Sequence, residues 1–241
     1  MRLILNFQAL TEIDYYKINN YTIQGLIYNL LKNTRFTDYH DTKGFKFFNF
    51  SNIFPVKDYD NTHQKTLIIS SPNSKFIKTL YHSLKAIDYF YLAQYKMIIK
   101  RIKVFDSNIN NKFISSTPLV LYEDNESNTY YSFQRNPDFD FFFNRLKDNA
   151  LKKYNAFYND EYQMNDELFN GFELSKEVSV KLTKDKKDFI IIGSIWKLLE
   201  KKEVKSKEDK KFYKFILDCG LGEKNSLGFG MVNNIQSTKK R

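Results

Sequence analysis

The sequence predicts an α+β protein made of two tandem βαββαβ halves. Three observations lead there. A chain of 241 residues is long enough to bury two cores of ordinary domain size. Short apolar or alternating runs of strand length take turns with segments whose apolar residues recur at helical spacing. The same succession then recurs, more loosely, in the second half.

In the first half, residues 1–8 run apolar as a strand does, and YTIQGLIYNLLKN (21–33) sets Ile23, Leu26, Ile27, Leu30 and Leu31 on one helical face. GFKFFNFS (44–51) is aromatic and extended, and TLIIS (66–70) is a further short strand. Pro72 marks a helix start after Ser71, and Phe76, Leu80, Leu84, Ile87 and Tyr91 share one helical face. YKMIIKRIKVF (95–105) then returns to a strand pattern. This order is the split βαβ, ferredoxin-like unit, which is also the plan of the RNA-recognition domain. The polar stretch DSNINNK near 106–112 reads as a linker and divides the chain into domains 1–106 and 107–241. Beyond it, TPLVLY (117–122) reads as a strand and 138–158 as an amphipathic helix, with FELSKEVSVKL and FIIIGSIWKLL as paired strands. EKKEVKSKEDKK (200–211) reads as a charged hairpin, KFYKFILDC (211–219) as a helix, and GMVNNI (230–235) as the closing strand. The tail STKKR reads as frayed and solvated.

Composition narrows the function. The formal charge of +10, from 38 Lys and Arg against 28 Asp and Glu, favours a polyanionic partner such as nucleic acid, although a lysine-rich composition bias would give the same total. The 23 Phe and 17 Tyr supply more aromatic surface than a small core requires, so some rings are available to a ligand. Cys219, the single cysteine, cannot form an internal disulfide, and no Cys/His spacing suits a zinc site. The start MRLILNFQAL lacks the marks of a signal peptide and no window has membrane-span length, so the expectation is a soluble cytoplasmic protein.

GLGEKNSLGFGMV (220–232) concentrates four of the eight glycines: Gly220, Gly222, Gly228 and Gly230. It is not a Walker loop, because Lys224 follows Glu223 and precedes Asn225. It is not a dinucleotide fingerprint either, because Asn225 stands where the third glycine belongs and only eleven residues follow Gly230. No nucleotide cofactor is expected. The pattern Gly-Leu-Gly, five residues, Gly-Phe-Gly resembles the glycine-rich loop of the RAMP superfamily, in particular of the CRISPR-associated endoribonucleases of the sixth Cas family that cut precursor RNA within its repeats. ISSPNSKFIKTL (69–80) is similar to the family's Ser-Ser-Pro before the second helix, and GLIYNLL, DYHDTKG and FKFFNFS resemble its tyrosine helix, histidine loop and aromatic strand. The resemblance implies two ferredoxin-like domains with the loop between the last helix and the last strand. Glycines there let bare N–H groups approach a phosphate chain, so Gly220, Gly222, Lys224, Gly228 and Gly230 are candidate RNA contacts, against the plainer reading of a glycine-rich turn.

RNA can be cut without metal when its own 2′-hydroxyl attacks the adjacent phosphorus. That needs a proton acceptor, a proton for the leaving 5′-oxygen and a cation for the developing charge. Of the three histidines, His40 sits in a polar loop beside Tyr39 and Asp41, whereas His63 lies in a turn and His82 on a helix. His40 is the candidate proton carrier. The resemblance also maps the family's helix tyrosine onto Tyr28 and its supporting lysine onto Lys46, with Lys43 competing; Tyr28 reads equally as a core aromatic and Lys46 as an outward strand lysine. Lys100 and Arg101, in KMIIKRIK, are candidate walls of an RNA groove between the domains, or simply water-facing strand residues. The implied partner is CRISPR repeat RNA, with no metal, and other CRISPR-associated proteins of an interference complex or a homodimer as further partners. The competing class is a non-catalytic RAMP subunit that binds guide RNA.

Overall fold

The computed structural model describes residues 1–124, 126–184, 187–204 and 206–235. The tail STKKR and Lys205, within the expected charged hairpin, lie outside them. The chain forms two compact units, Met1–Ser107 with Ser226–Gly228, and Asn108–Asn225 with Phe229 and the strand after it.

The first unit runs β1 (Arg2–Ala9), α1 (Asn20–Leu31), β2 (Asn49–Phe50), β3 (Lys65–Ser70), α2 (Ser74–Lys85), β4 (Tyr89–Leu92) and β5 (Tyr95–Phe105). Its sheet has the order β2-β3-β1-β5-β4 with antiparallel neighbours throughout, which is the ferredoxin-like order with one extra edge strand. Leu3, Leu5 and Phe7 alternate onto the core face and bury against Ile23, Ile27, Phe76, Ile77 and Leu80 from the two helices. Asn19 caps α1 by accepting from the Thr22 N–H at 3.1 Å.

Three details differ from the sequence reading. The helix after Pro72 starts at Ser74, because Asn73 accepts from the N–H groups of Lys75 and Phe76 and so takes the cap expected at Ser71. Tyr91 leaves the helical face: the helix stops at Lys85, and Tyr89–Leu92 alternates exposed and buried as a strand, turning at Ala93 (φ 53°) into β5. Of the aromatic run 44–51, only Asn49–Phe50 joins the sheet.

The second unit runs β6 (Lys112–Ser115), β7 (Tyr122–Asp124), β8 (Thr129–Tyr130), α3 (Phe139–Tyr158), β9 (Gly171–Lys184), β10 (Lys187–Glu200), α4 (Lys207–Cys219) and β11 (Val232–Asn234). The order β11-β6-β10-β9 repeats the ferredoxin-like plan, with β7 and β8 as a separate ribbon. Here too the first strand lies elsewhere than expected. It is Lys112–Ser115, whereas 117–121 forms no strand and Tyr122 opens β7: Pro118 has no N–H for a ladder, and Leu119 exchanges backbone bonds with Ser194, at 2.8 and 2.9 Å. The stretch expected as a charged hairpin becomes the start of α4, since Ser206 and Asp209 form a reciprocal capping box. Trp196, Phe113, Phe142, Phe212 and Ile216 fill the core of this unit. Among the described residues no helix is long and apolar enough to cross a membrane.

Candidate active site

Tyr28 lies on the last turns of α1, three residues before the helix ends. Beyond the helix the chain reverses at Asn33 (φ 58°) and makes a short 3-10 turn over Thr37–Tyr39, with His40 as the residue after it. An aromatic cluster holds that turn: the Tyr39 ring packs on Phe36 and Phe76, and the Tyr39 hydroxyl accepts from the Phe47 N–H at 2.9 Å. The result brings the His40 ring edge-on to the Tyr28 ring, with centroids 4.8 Å apart. Twelve residues of sequence separation thus become one contact.

Lys46 closes the same loop from the other side. Its ammonium donates to the carbonyl of Tyr39 at 2.6 Å and to that of Thr42, so it ties together the residues flanking His40. It also lies 5.5 Å from the centroid of the Tyr39 ring. Burial lowers the Lys46 pKa, and the charge of Asp41 pulls it back up. Lys43 is exposed in this loop.

His40 is 66% exposed, and its Nδ1 lies 2.6 Å from Asp41 Oδ1. An ionised carboxylate can only accept there, so Nδ1 is the donor and Nε2 is the ring nitrogen left for a ligand. Asp41 is an orienting partner that the sequence reading passed over as a mere neighbour. Burial pushes the Tyr28 pKa up to about 12, so this phenol keeps its proton at neutral pH and donates hydrogen bonds. The other two histidines are placed differently. His63 Nδ1 meets Asp60 Oδ2 at 2.7 Å within a turn, and His82 lies exposed in the last turn of α2. Among the described residues no three His, Cys, Asp or Glu side chains converge as metal ligands.

The glycine loop has a packing role that spacing alone does not reveal. Gly220, Gly222, Gly228 and Gly230 are all buried at positive φ. A Cβ on Gly222 would stand 2.3 Å from the Val120 carbonyl oxygen, one on Gly230 only 1.8 Å from that of Leu221, and one on Gly228 2.4 Å from the Phe50 ring. The N–H groups of Gly220 and Gly230 donate to the carbonyls of Ile216 and Pro118, so these two donors are already used inside the second unit. Lys153, buried on α3, donates to the carbonyls of Gly220 and Gly222 at 2.9 and 2.8 Å and to Asn225 Oδ1 at 2.6 Å. The Asn225 amide in turn donates to the carbonyls of Leu221 and Phe229. Lys153 and Asn225 are separated by 72 residues, so no local signal in the sequence could have paired them. Lys224 is half-exposed with its ammonium 5.3 Å from the Tyr122 ring centroid. The tip, Ser226–Gly228, belongs with the first unit, where Asn20 and Gln24 of α1 donate to the carbonyls of Leu227 and Ser226. Lys100 and Arg101 are exposed on β5, where the pairing of Asn6 with Arg101 and Phe7 with Ile99 leaves Lys100 in a bulge.

Two ferredoxin-like units with a glycine loop between the last helix and the last strand place this chain among proteins of tandem ferredoxin-like fold. Residues 99–234 match the family model of the CRISPR associated protein Cas6 C-terminal region. The chain is 45% identical over 243 residues to CRISPR-associated endoribonuclease Cas6 2 of Methanocaldococcus jannaschii, covering 98% of this chain and 100% of that protein. Among solved structures, a CRISPR associated protein Cas6 superposes with a TM-score of 0.69 at 26% identity, over 98% of this chain and 99% of the other. A RAMP protein binding different RNA substrates superposes with a TM-score of 0.70 at 20% identity, over 98% and 100%, and so shares the fold. The chain belongs to the Cas6 family.

Proposed function

We propose that this protein is an endoribonuclease that cuts CRISPR precursor RNA within its repeats, without metal, through attack of the RNA's own 2′-hydroxyl. The observation that carries the reading is the meeting of Tyr28 and His40 at 4.8 Å in a loop tied by Lys46. The relatives' names supply the reaction class. His40 Nε2 takes the 2′-hydroxyl proton as the 2′-oxygen bonds to phosphorus. The bond from phosphorus to the 5′-oxygen breaks, and that oxygen leaves as a hydroxyl with a proton from water at this exposed site. The products are a 2′,3′-cyclic phosphate and a 5′-hydroxyl. Tyr28, which keeps its proton, acts as a hydrogen-bond donor that positions the reacting group rather than as the base. Lys46 stabilises the charge growing on the phosphate. Lys224, Lys100 and Arg101 neutralise phosphates elsewhere along the strand, and the glycines hold the loop that presents Lys224.

The test incubates purified protein with end-labelled repeat RNA in excess EDTA, beside His40→Ala and an RNA carrying a 2′-deoxy sugar at the cut. Cutting at one position by the wild type alone, blocked by the deoxy sugar, is expected. Tight binding with no cutting would overturn the reading in favour of a guide-RNA-binding subunit, and cutting that needs a divalent ion would overturn the mechanism.

A further inference from the structure

The helix α1 carries more of the site than Tyr28. Asn20, Gln24 and Tyr28 recur every four residues, so their side chains leave the helix along one stripe, each step about 6 Å further along the axis. The third member of the stripe meets His40. The first two take the tip of the glycine loop: the Asn20 amide donates to the Leu227 carbonyl at 2.7 Å, and the Gln24 amide to the Ser226 carbonyl at 2.8 Å. Asn20 is not needed as a helix cap, because Asn19 fills that place.

A second element holds the same tip. Gly228, at φ 81°, lies so close to Phe50 that an added Cβ would stand 2.4 Å from its ring. Phe50 is buried on β2, the strand that the chain enters after His40 and Lys46. The three residues Ser226–Gly228 are thus fastened both to the helix that carries Tyr28 and to the strand that follows the His40 loop, and they pack as part of the first unit.

The base of the loop has its own support. Lys153 and Asn225 already serve the carbonyls of Gly220, Gly222, Leu221 and Phe229. What Asn20 and Gln24 add, from 207 and 202 residues away in the chain, is a fixed distance. The tip is gripped one and two helical turns before Tyr28, with only rigid helix between the grip and the tyrosine. Ser226, half-exposed, brings a hydroxyl and backbone groups of the kind that hold a phosphate to that tip. A strand of RNA that touches the tip therefore reaches Tyr28 and His40 with a set number of nucleotides in between.

We infer that Asn20 and Gln24 are positioning residues that decide which phosphodiester bond is cut, by locking the tip of the glycine loop to the helix that carries Tyr28. This rests on the reading that the chain cuts repeat RNA at Tyr28 and His40, and adds to it the choice of bond.

The test compares the wild type with the double variant Asn20→Leu with Gln24→Met, whose side chains keep the size but carry no donor and no charge, and with Gln24→Lys, which keeps a donor. Each protein, at saturating concentration, is given end-labelled repeat RNA in single-turnover reactions, and the products are sized to single nucleotides. Affinity is measured on a repeat with a 2′-deoxy sugar at the cut. The double variant should bind that uncut repeat about as tightly as the wild type and cut about ten- to a hundredfold more slowly, because a misplacement of about 1 Å at the reacting atoms costs on the order of a hundredfold. Its products should include cuts at bonds next to the wild-type one, whereas Gln24→Lys should cut at the wild-type bond alone. If the double variant does not fold, Gln24→Met by itself makes the same comparison. Cutting at the wild-type bond alone by the donor-less variants, whether fast or slow, overturns the inference and leaves the nuclease reading intact, as do new cuts by Gln24→Lys. Repeat RNA that the wild type binds and does not cut overturns the nuclease reading and this inference with it.

Discussion

Replacing Gly230 by alanine separates two reasons for a buried glycine, its positive φ and the closeness of its neighbours. At φ 75° an alanine costs about 1–2 kcal/mol of backbone strain. The new Cβ would also stand 1.8 Å from the Leu221 carbonyl oxygen and 2.8 Å from Asn225 Nδ2. Room can be made only by opening bonds that hold the loop: Leu221 N–H to the Gly230 carbonyl at 2.9 Å, Gly230 N–H to the Pro118 carbonyl at 2.7 Å, and the Asn225 amide to the Leu221 carbonyl at 2.9 Å. Each buried group left unpaired costs ~1–3 kcal/mol. With one such bond lost the total is about 2–5 kcal/mol, or roughly 4–20 °C in melting temperature for a chain of this size. Two other glycines calibrate the result in the same thermal melts. Gly44, at φ 93° with nothing within 4 Å of an added Cβ, should show the backbone strain alone, a loss of about 2–8 °C. Gly25, inside α1 with open space around it, should gain stability as alanine by about 0.5–1 kcal/mol. If Gly230→Ala melts together with Gly44→Ala, close packing is not what the loop's glycines provide.

Other perturbations probe the site. His40→Ala should slow cutting by ~10²–10⁴-fold while the affinity for a non-cleavable repeat RNA stays close to the wild type, and unchanged cutting would remove His40 from the mechanism. Because burial raises the Tyr28 pKa to about 12, its proton is fully held below the reference value near 10 and is lost only as pH rises through about 12. The rate profile between pH 7 and about 10 should therefore contain no limb that Tyr28→Phe abolishes; the appearance of one would make Tyr28 a base. Lys46→Met takes the donor from the carbonyls of Tyr39 and Thr42 and should slow single-turnover cutting by about tenfold or more. A variant that cuts at the wild-type rate would show that the His40 loop holds without it. Lys153→Met leaves three buried acceptors without their ammonium and should lower stability by on the order of 3 kcal/mol in denaturant titrations, whereas an equal midpoint would mean that the clamp contributes nothing.

Much of this protein is written in local pattern. The helices over 20–31 and 139–158 and the strands β1, β3 and β5 follow from apolar spacing, because each has to bury one face against a core. The glycine spacing at 220–230 and the lone loop histidine are likewise local, and so could be read directly. Caps and turns are less legible, since Asn73 and Ser206 win by a pair of hydrogen bonds each, which compete with other choices of similar energy. Tyr91 was misplaced because a strand of four residues carries too few alternations to outvote a helical period that passes through it. What only the tertiary structure decided are the partnerships across long stretches of chain: the ring of Tyr28 on that of His40, the ammonium of Lys153 in the glycine loop, and the register that sets Asn6 opposite Arg101. Sequence period determines which face of an element is buried. What that face meets is determined by how strands and helices pair at a distance, where no residue's own neighbours hold the information.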